Sequence, residues 1–431
     1  MPTTRDSDCR GGGMDVRQIP NEDLKEAANT VKDAISPKDV IEVLTNVYIE
    51  ARDDTLVLRA TDAELLVETE FALPDKSVKK PGSCCVPGRE FCDLVKLLPG
   101  DLDMKTSGSH LIVNHGGESS TKLVSLSGKE YVEFPEFVDS AHHFGEEFLD
   151  ALRRVAWSMT TDPTRTDMRG VGLKGLKRKA TLMATNNITA SIVSDISYVG
   201  KKIERTFLPD NFVDKILKDA PKSFKFCEIF PKKEGEEITE SKMVGVEFDK
   251  EIVRKRKGKV KNKEGKLVDG MVEISTDHLV RIYHLKWEKE FAAVESILEM
   301  YKGKEVRTVL TVGLPGMLSI CNTLEGLLSS LKDPRITIMF EDGLLELAGA
   351  SNKLHHRDRV EYYEGEYPNP GRIGFKVGPK YLTQYLNVLK GAGELELSFY
   401  GTGHACQMSD DSEVEHSVLM NPIDLKVEEL D

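Results

Sequence analysis

Residues 180–197 read ATLMATNNITASIVSDIS: two strands of alternating character on either side of a polar turn. The chain writes this pattern three times. An earlier version is TLVLRATDAELLVETEF at residues 55–71, and a worn later one is GLLELAGASNKLHHRDRVEY at residues 343–362. In each, a leucine-bearing strand runs into a turn of small, Asx or Ser residues and returns as a second alternating strand. A repeat of such long period indicates stacked or ring-arranged units.

A second recurrence fixes the count. Pro87, Pro209 and Pro379 each stand just ahead of an apolar anchor (Phe91, Val213, Leu382) that is followed three and four positions later by further apolar residues. Proline suits the first helical turn, where its missing N–H costs least. A helix also precedes each repeated hairpin. Leu24–Ile35 follows Asn21 and places Leu24, Ala27, Ala28, Val31 and Ile35 on one face. Phe144–Met159 does so with Phe148, Leu152, Val155 and Met159, and Leu314–Leu328 with Leu314, Met317, Leu318, Cys321 and Leu324. Val40–Ile49, Leu102–Thr106, His110–Asn114, Lys122–Ser127, Leu395–Phe399, Ala405–Met408 and His416–Met420 read as strands. The fold class is α+β, with three tandem similar domains, each of two helices packed on antiparallel sheets. The expected boundaries are 14–138, 139–302 and 303–425, with a disordered tail at 1–13 and an acidic tail at 426–431.

Within the middle domain, residues 231–270 break the rhythm. They include the run RKRKGKVKNKEGK at residues 254–266, with Asn262–Gly265 as a hairpin tip. A charge run of this kind is read first as a solvated hairpin insertion, and second as a basic arm for DNA phosphates or an acidic partner.

Composition excludes several classes. With 431 residues the chain can bury large cores, and a formal charge of -13 argues against nucleic-acid binding by overall charge. The seven cysteines (Cys9, Cys84, Cys85, Cys92, Cys227, Cys321, Cys406) are odd in number and form no CxxC pair, which fits a reducing, cytoplasmic setting without a zinc site. No run is long enough to span a membrane. GxxxxGK[ST], HExxH, GxSxG and GxGxxG are all missing. The pairs His142-His143 and His355-His356 are neighbours that point apart on a strand. No cofactor, metal or catalytic set is indicated, and a non-enzymatic scaffold or ring is expected.

Several short stretches, in this order and spacing, resemble the bacterial beta sliding clamp, the processivity subunit of the replicative DNA polymerase. They are Val86–Phe91 with Leu97, Leu98 and Pro99; Lys122–Ser127 with Glu133, Phe134 and Pro135; Ser158 and Met159 with Met168 and Gly170; Met183, Ala184 and Thr185; Lys376–Leu389; and Met420–Leu425. The resemblance covers about Met14 to Leu425. It implies the DNA clamp fold and a head-to-tail homodimer of six domains, closed as a ring around double-stranded DNA without reading its sequence. The implied function is to tether the replicative DNA polymerase and other partners for processivity, with loading by a clamp loader.

The ring lining implied by the resemblance falls on Lys25, Lys32, Arg89, Lys96, Arg153, Arg154, Arg165, Lys215, Lys218, Lys380 and Lys390. A cleft for partner peptides falls on Met168, Thr185, Asn187, Ile188, Ala190, Ala292, Ile297, Gly403, Ala405, Leu419, Asn421, Pro422, Ile423 and Leu425. Two departures touch that cleft. The family's turn usually reads Asp-Gly-His-Arg-Leu, where this chain has Asn186–Ala190. Its usual ending, Met-Pro-Met-Arg-Leu, is replaced by Asn421–Leu425. The alternative reading is a clamp-fold binding module that acts as a decoy or regulator of host replication proteins, as in a phage- or plasmid-borne relative.

Overall fold

All three copies of the repeated stretch fold as antiparallel hairpins: Thr55–Thr61 with Leu65–Ala72, Lys179–Thr185 with Thr189–Val199, and Leu344–Ser351 with Leu354–Val360. The computed structural model describes residues 13–37, 41–117, 119–135, 137, 142–229, 243–261, 267–285, 294, 296, 304–306, 308–332, 334–341, 344–351, 354–366, 373–389, 392–400, 406–410 and 416–420. The tails expected at 1–13 and 426–431 and the hairpin tip Asn262–Gly265 lie outside the described residues, save Gly13.

One module is repeated six times: a leading strand, a helix, then three strands. The helices are α1 (Asn21–Lys32), α2 (Gly88–Leu97), α3 (Glu146–Ala156), α4 (Asp210–Asp219), α5 (Leu314–Leu328) and α6 (Pro379–Val388). Their leading strands are Asp15–Ile19, Gly82–Pro87, His142–Phe144, Ile203–Pro209, Thr308–Gly313 and Ile373–Val377. Modules are coupled in pairs by exchanging these strands. Asp15–Ile19 pairs with Leu102–Ser107 of the second module, while Gly82–Pro87 pairs with Asn46–Arg52 of the first. The same exchange joins the third module to the fourth and the fifth to the sixth.

By compactness the chain divides into two units, residues 1–144 with 214–286 and residues 145–213 with 287–431, so the expected middle domain contributes to both. Each unit carries a nine-stranded antiparallel sheet. The first runs in order through residues 126–127, 82–87, 46–52, 55–61, 65–72, 267–285, 243–261, 224–229 and 142–144. The second runs through residues 203–209, 170–176, 179–185, 189–199, 416–420, 406–410, 394–399, 308–313 and 362–366.

The helices pack as their sequence faces require. Leu24, Ala27, Ala28 and Val31 of α1 are fully buried, as are Phe91, Cys92 and Val95 of α2. The Cys92 thiol donates to the Ala28 carbonyl at 3.5 Å. The start of α2 needs Gly88, since a Cβ there would stand 2.9 Å from both Ile35 Cδ1 and Thr45 O. In the second unit, Met317, Cys321 and Leu324 of α5 share a core with Leu382, Tyr385 and Leu386 of α6. Burial pushes the Cys84, Cys85 and Cys321 thiols up to about 12, which leaves them as inert core residues.

Two sequence expectations need correction. Val40–Ile49 is not one strand, because Glu42–Thr45 is a 3₁₀ turn and the strand begins at Asn46. Phe144 closes a leading strand instead of opening α3. The basic run at 254–261 falls, as expected, in a hairpin: Met243–Lys261 and Leu267–Leu285 pair continuously over nineteen residues each.

Across the first sheet, register places Tyr48, Arg59, Glu68, Arg281, Glu247 and Lys225 in one row, one residue from each of six neighbouring strands. Charges alternate along it. Arg59 meets Glu68 at 2.5 Å, Glu68 meets Arg281, Arg281 meets Glu247 at 2.7 Å and Glu247 meets Lys225 at 2.9 Å. The Arg59 guanidinium also lies over the rings of Tyr48 and Phe134 at 5.2 and 5.4 Å. Burial pushes the Glu68 carboxyl up, but Arg59 and Arg281 outweigh it and hold it below its ordinary 4.5. Glu247 is lowered in the same way by Lys225 and Arg281.

Because these carboxyls are more acidic folded than unfolded, their stabilisation is complete above about pH 4.5 and drains as the pH falls below it. Glu68→Gln takes the paired anion from half-buried Arg59 and one of the anions from half-buried Arg281, which keeps Glu247, and is expected to cost about 2–3 kcal/mol. Urea unfolding at pH 7 and pH 4 checks both points: the difference between wild type and variant should shrink on acidification.

Candidate functional site

The middle hairpin turns within five residues, and side chains build that turn. Asn186 Oδ1 accepts from the backbone N–H of Ile188 (3.0 Å), the N–H of Thr189 (2.8 Å) and the Thr189 hydroxyl (3.0 Å). The Thr185 hydroxyl donates to Thr189 O at 2.8 Å and accepts from the Asn187 N–H at 3.3 Å. Asn187 takes the left-handed conformation with φ of 73°, which Asn tolerates better than most residues. Thr185 and Ala190 are buried, Ile188 is half-buried and Asn187 is exposed.

Met168 reaches the same neighbourhood through Ser158–Thr160. Thr160 N–H donates to Met168 O at 3.1 Å, and the hydroxyls of Ser158 and Thr189 lie 3.1 Å apart. Met168 is buried, with Arg165 Nη2 at 3.5 Å from its sulfur. On the other side Ala190 pairs with Leu419, and Thr189 with Met420. The expected cleft residues Met168, Thr185, Asn187, Ile188, Ala190 and the backbone of Leu419 therefore belong to one locality. Ala292, Ile297, Gly403, Ala405, Asn421, Pro422, Ile423 and Leu425 lie outside the described residues.

Behind this wall sits a contact absent from the sequence reading. Arg154 of α3 pairs with Asp410 at 2.5 Å, and the Asp410 side chain is fully buried. Next to it, the Trp157 and Tyr385 rings stand 5.3 Å apart, and the Ser191 hydroxyl donates to Arg154 O at 3.0 Å. Arg154 thus ties the first half of the unit to its last strands. With 256 residues between the partners, no local pattern signals the pair.

The expected basic helix faces divide into three sets. Lys25, Arg89, Lys96 and Lys380 have no ion pair among the described residues, and all are exposed except Lys25, which is half-buried. Lys32 meets Asp93 (3.1 Å), Arg153 meets Asp150 (2.7 Å), Arg165 meets Asp167 (3.5 Å) and Lys218 meets Asp33 (2.5 Å). These pairs are at least partly open to solvent and worth little when exposed.

Lys215 and Arg154 do not fit a solvent-facing lining. Lys215 is only 3% exposed and lies 3.1 Å from Asp219 and 3.3 Å from Asp33, while Arg154 is committed to Asp410. A buried ammonium needs such anions, and the Lys215–Asp219 spacing of four residues on a helix was the available clue. Burial pushes the Asp33 carboxyl up, but Lys218 and Lys215 more than offset it, and it lies below its ordinary 3.8. Lys390 lies outside the described residues.

Among the described residues no three His, Cys, Asp or Glu side chains stand together as a metal-holding group, and no helix is long and apolar enough to cross a membrane.

Residues 17–135 match the family model of the DNA polymerase III beta subunit, N-terminal domain. The beta sliding clamp of Chlamydia pneumoniae is 26% identical over 209 residues, 46% of this chain and 55% of that protein. That of Bacillus subtilis is 26% identical over 179 residues, covering 39% and 47%. The chain spans about half the length of the curated relatives it matches. The fold match is longer. The crystal structure of the DNA polymerase sliding clamp from Bacillus subtilis superposes with a TM-score of 0.78 at 16% identity, covering 96% of this chain and all of that one. The Helicobacter pylori beta clamp bound to a DNA ligase peptide gives 0.72 at 17% identity, covering 95% and 100%. The chain is therefore related to the bacterial beta sliding clamps through residues 17–135 and shares their fold over nearly its whole length.

Proposed function

We propose that this chain is a non-catalytic sliding clamp of the cytoplasm. Two copies close head to tail around double-stranded DNA and tether the replicative polymerase. The observation that carries the reading is the sixfold module, coupled in three pairs by strand exchange. It supports the tandem-domain boundaries expected at 14–138, 139–302 and 303–425, and it gives twelve such modules in a dimer. The edges suit closure. Strand Ser120–Val124 pairs only with His110–His115, and Leu354–Val360 only with Leu344–Ser351, among the described residues. Unpaired edges of this kind are aggregation hazards unless covered, and pairing between copies covers them.

In the assembled ring, Lys25, Arg89, Lys96 and Lys380 face the phosphates, while Lys32, Arg153, Arg165 and Lys218 exchange weak surface pairs for them. Helices lying across the backbone read no sequence. In a retention assay with a clamp loader, the protein should stay on closed circular DNA and leave within seconds to minutes of linearisation. Equal loss from both forms rejects encirclement and favours the decoy reading.

The turn Thr185–Ala190, with Met168 and Leu419, forms part of the groove for partner peptides, where apolar floor and polar rim suit short linear segments. Its shape depends on one atom, Asn186 Oδ1, which accepts three hydrogen bonds. Asn186→Ala is expected to weaken binding of a clamp-binding peptide from the polymerase by about tenfold, the equivalent of about one net hydrogen bond or slightly more. Fluorescence anisotropy with the labelled peptide reads this, with DNA retention as the control that should not move.

A further inference from the structure

The strands Met243–Lys261 and Leu267–Leu285 outrun their sheet. The neighbouring strand 224–229 accompanies the first only as far as Glu247, and Leu65–Ala72 accompanies the second only over His278–His284. Beyond Glu251 and Asp277 a two-stranded ribbon continues for ten residue pairs, to Lys261 and Leu267. At the usual rise per residue it is about 35 Å long. Its base is fixed: Lys250 meets Glu26 (2.7 Å) and Asp219 (2.9 Å), Arg254 meets Asp23 of α1 (2.5 Å), and Ser275 donates to Glu251 at 2.7 Å. A free two-stranded ribbon is marginal in water, so one this long needs a reason.

Its composition supplies one. Residues 254–261 hold six cations and no anion, while the opposing 267–274 hold only Asp269 and Glu273, in a chain of net charge -13. Lys255, Lys257, Lys259 and Lys261 occupy alternate register positions, about 6.8 Å apart; Glu273 stands opposite Lys255 and Asp269 opposite Lys259, while Lys257 and Lys261 have no anion in register, so the row keeps a positive surplus. Gly258 is paired with Gly270. No aromatic residue lies in either segment to anchor a protein partner. Evenly spaced cations without anchors match a polyanionic backbone.

We propose that this ribbon is a second, sequence-independent DNA contact, a phosphate-binding arm that grips duplex DNA without the ring having to close on it.

The test uses the full chain and a fluorescein-labelled 30-base-pair linear duplex, read by anisotropy across a salt series without a clamp loader. A variant carrying Lys255→Ala, Lys257→Ala, Lys259→Ala and Lys261→Ala should bind at least tenfold more weakly at low salt. Its slope of log affinity against log salt should be shallower by about 3 to 4. The matching Lys→Arg variant should keep wild-type affinity, which separates loss of charge from loss of fold. Three results overturn the proposal: unchanged duplex binding by the alanine variant; loss only of binding to a polyglutamate peptide, which would assign the arm to an acidic protein; or aggregation with the salt slope intact, which would make the lysines guards of an open edge. Retention on circular DNA after loading is scored separately. Its failure rejects the ring and leaves the arm standing.

Discussion

The row Arg59–Glu68–Arg281–Glu247–Lys225 is the constraint on which the first unit depends. It crosses the seam where Leu65–Ala72, from early in the chain, pairs with Leu267–Leu285, from two hundred residues later. Backbone hydrogen bonds alone do not choose this partner or its register. A slip of one residue would turn Glu68 away from Arg281 and present the buried set Val67, Thr69, Val280 and Ile282 to the wrong face. Buried ion pairs rarely add net stability over an apolar replacement, but an unpaired buried charge is heavily penalised. The alternation of sign therefore acts mainly as a register lock. In the second unit the Arg154–Asp410 pair instead joins a helix to the last strands, beside an apolar core.

Elements governed by local periodicity were legible in the sequence. The three hairpins, the proline-led helices and the limits of α5 follow from apolar spacing and turn residues within about fifteen positions. Elements decided by distant partners were not. Lys215 looks like any cation on a helix face until Asp33, 182 residues away, closes over it. Arg154 reads as solvent-facing until Asp410 takes it. The basic run at 254–261 reads as part of a solvated hairpin insertion, not as the continuation of two sheet strands. Its strand character comes from pairing with 267–274, whose alternation is weak on its own. In the candidate cleft, Thr185 and Asn186 carried their turn chemistry openly, and the neighbours brought up by the last strands did not.

The sixfold module shows how one long chain is built from small parts. Each module leaves its leading strand for its neighbour, so pairs of modules interlock and cannot fold separately. Ser120–Val124 and Leu354–Val360 are sheet edges among the described residues, and under the proposed function covering those edges between copies is the step from chain to ring.

The most direct test of that step is hydrogen exchange at the amides of Ser120–Val124 and Leu354–Val360, followed with protein concentration alongside the mass by sedimentation. The account predicts that both edges become protected together as the mass rises to that of two chains. A dimer in which either edge exchanges as freely as in the monomer would contradict it.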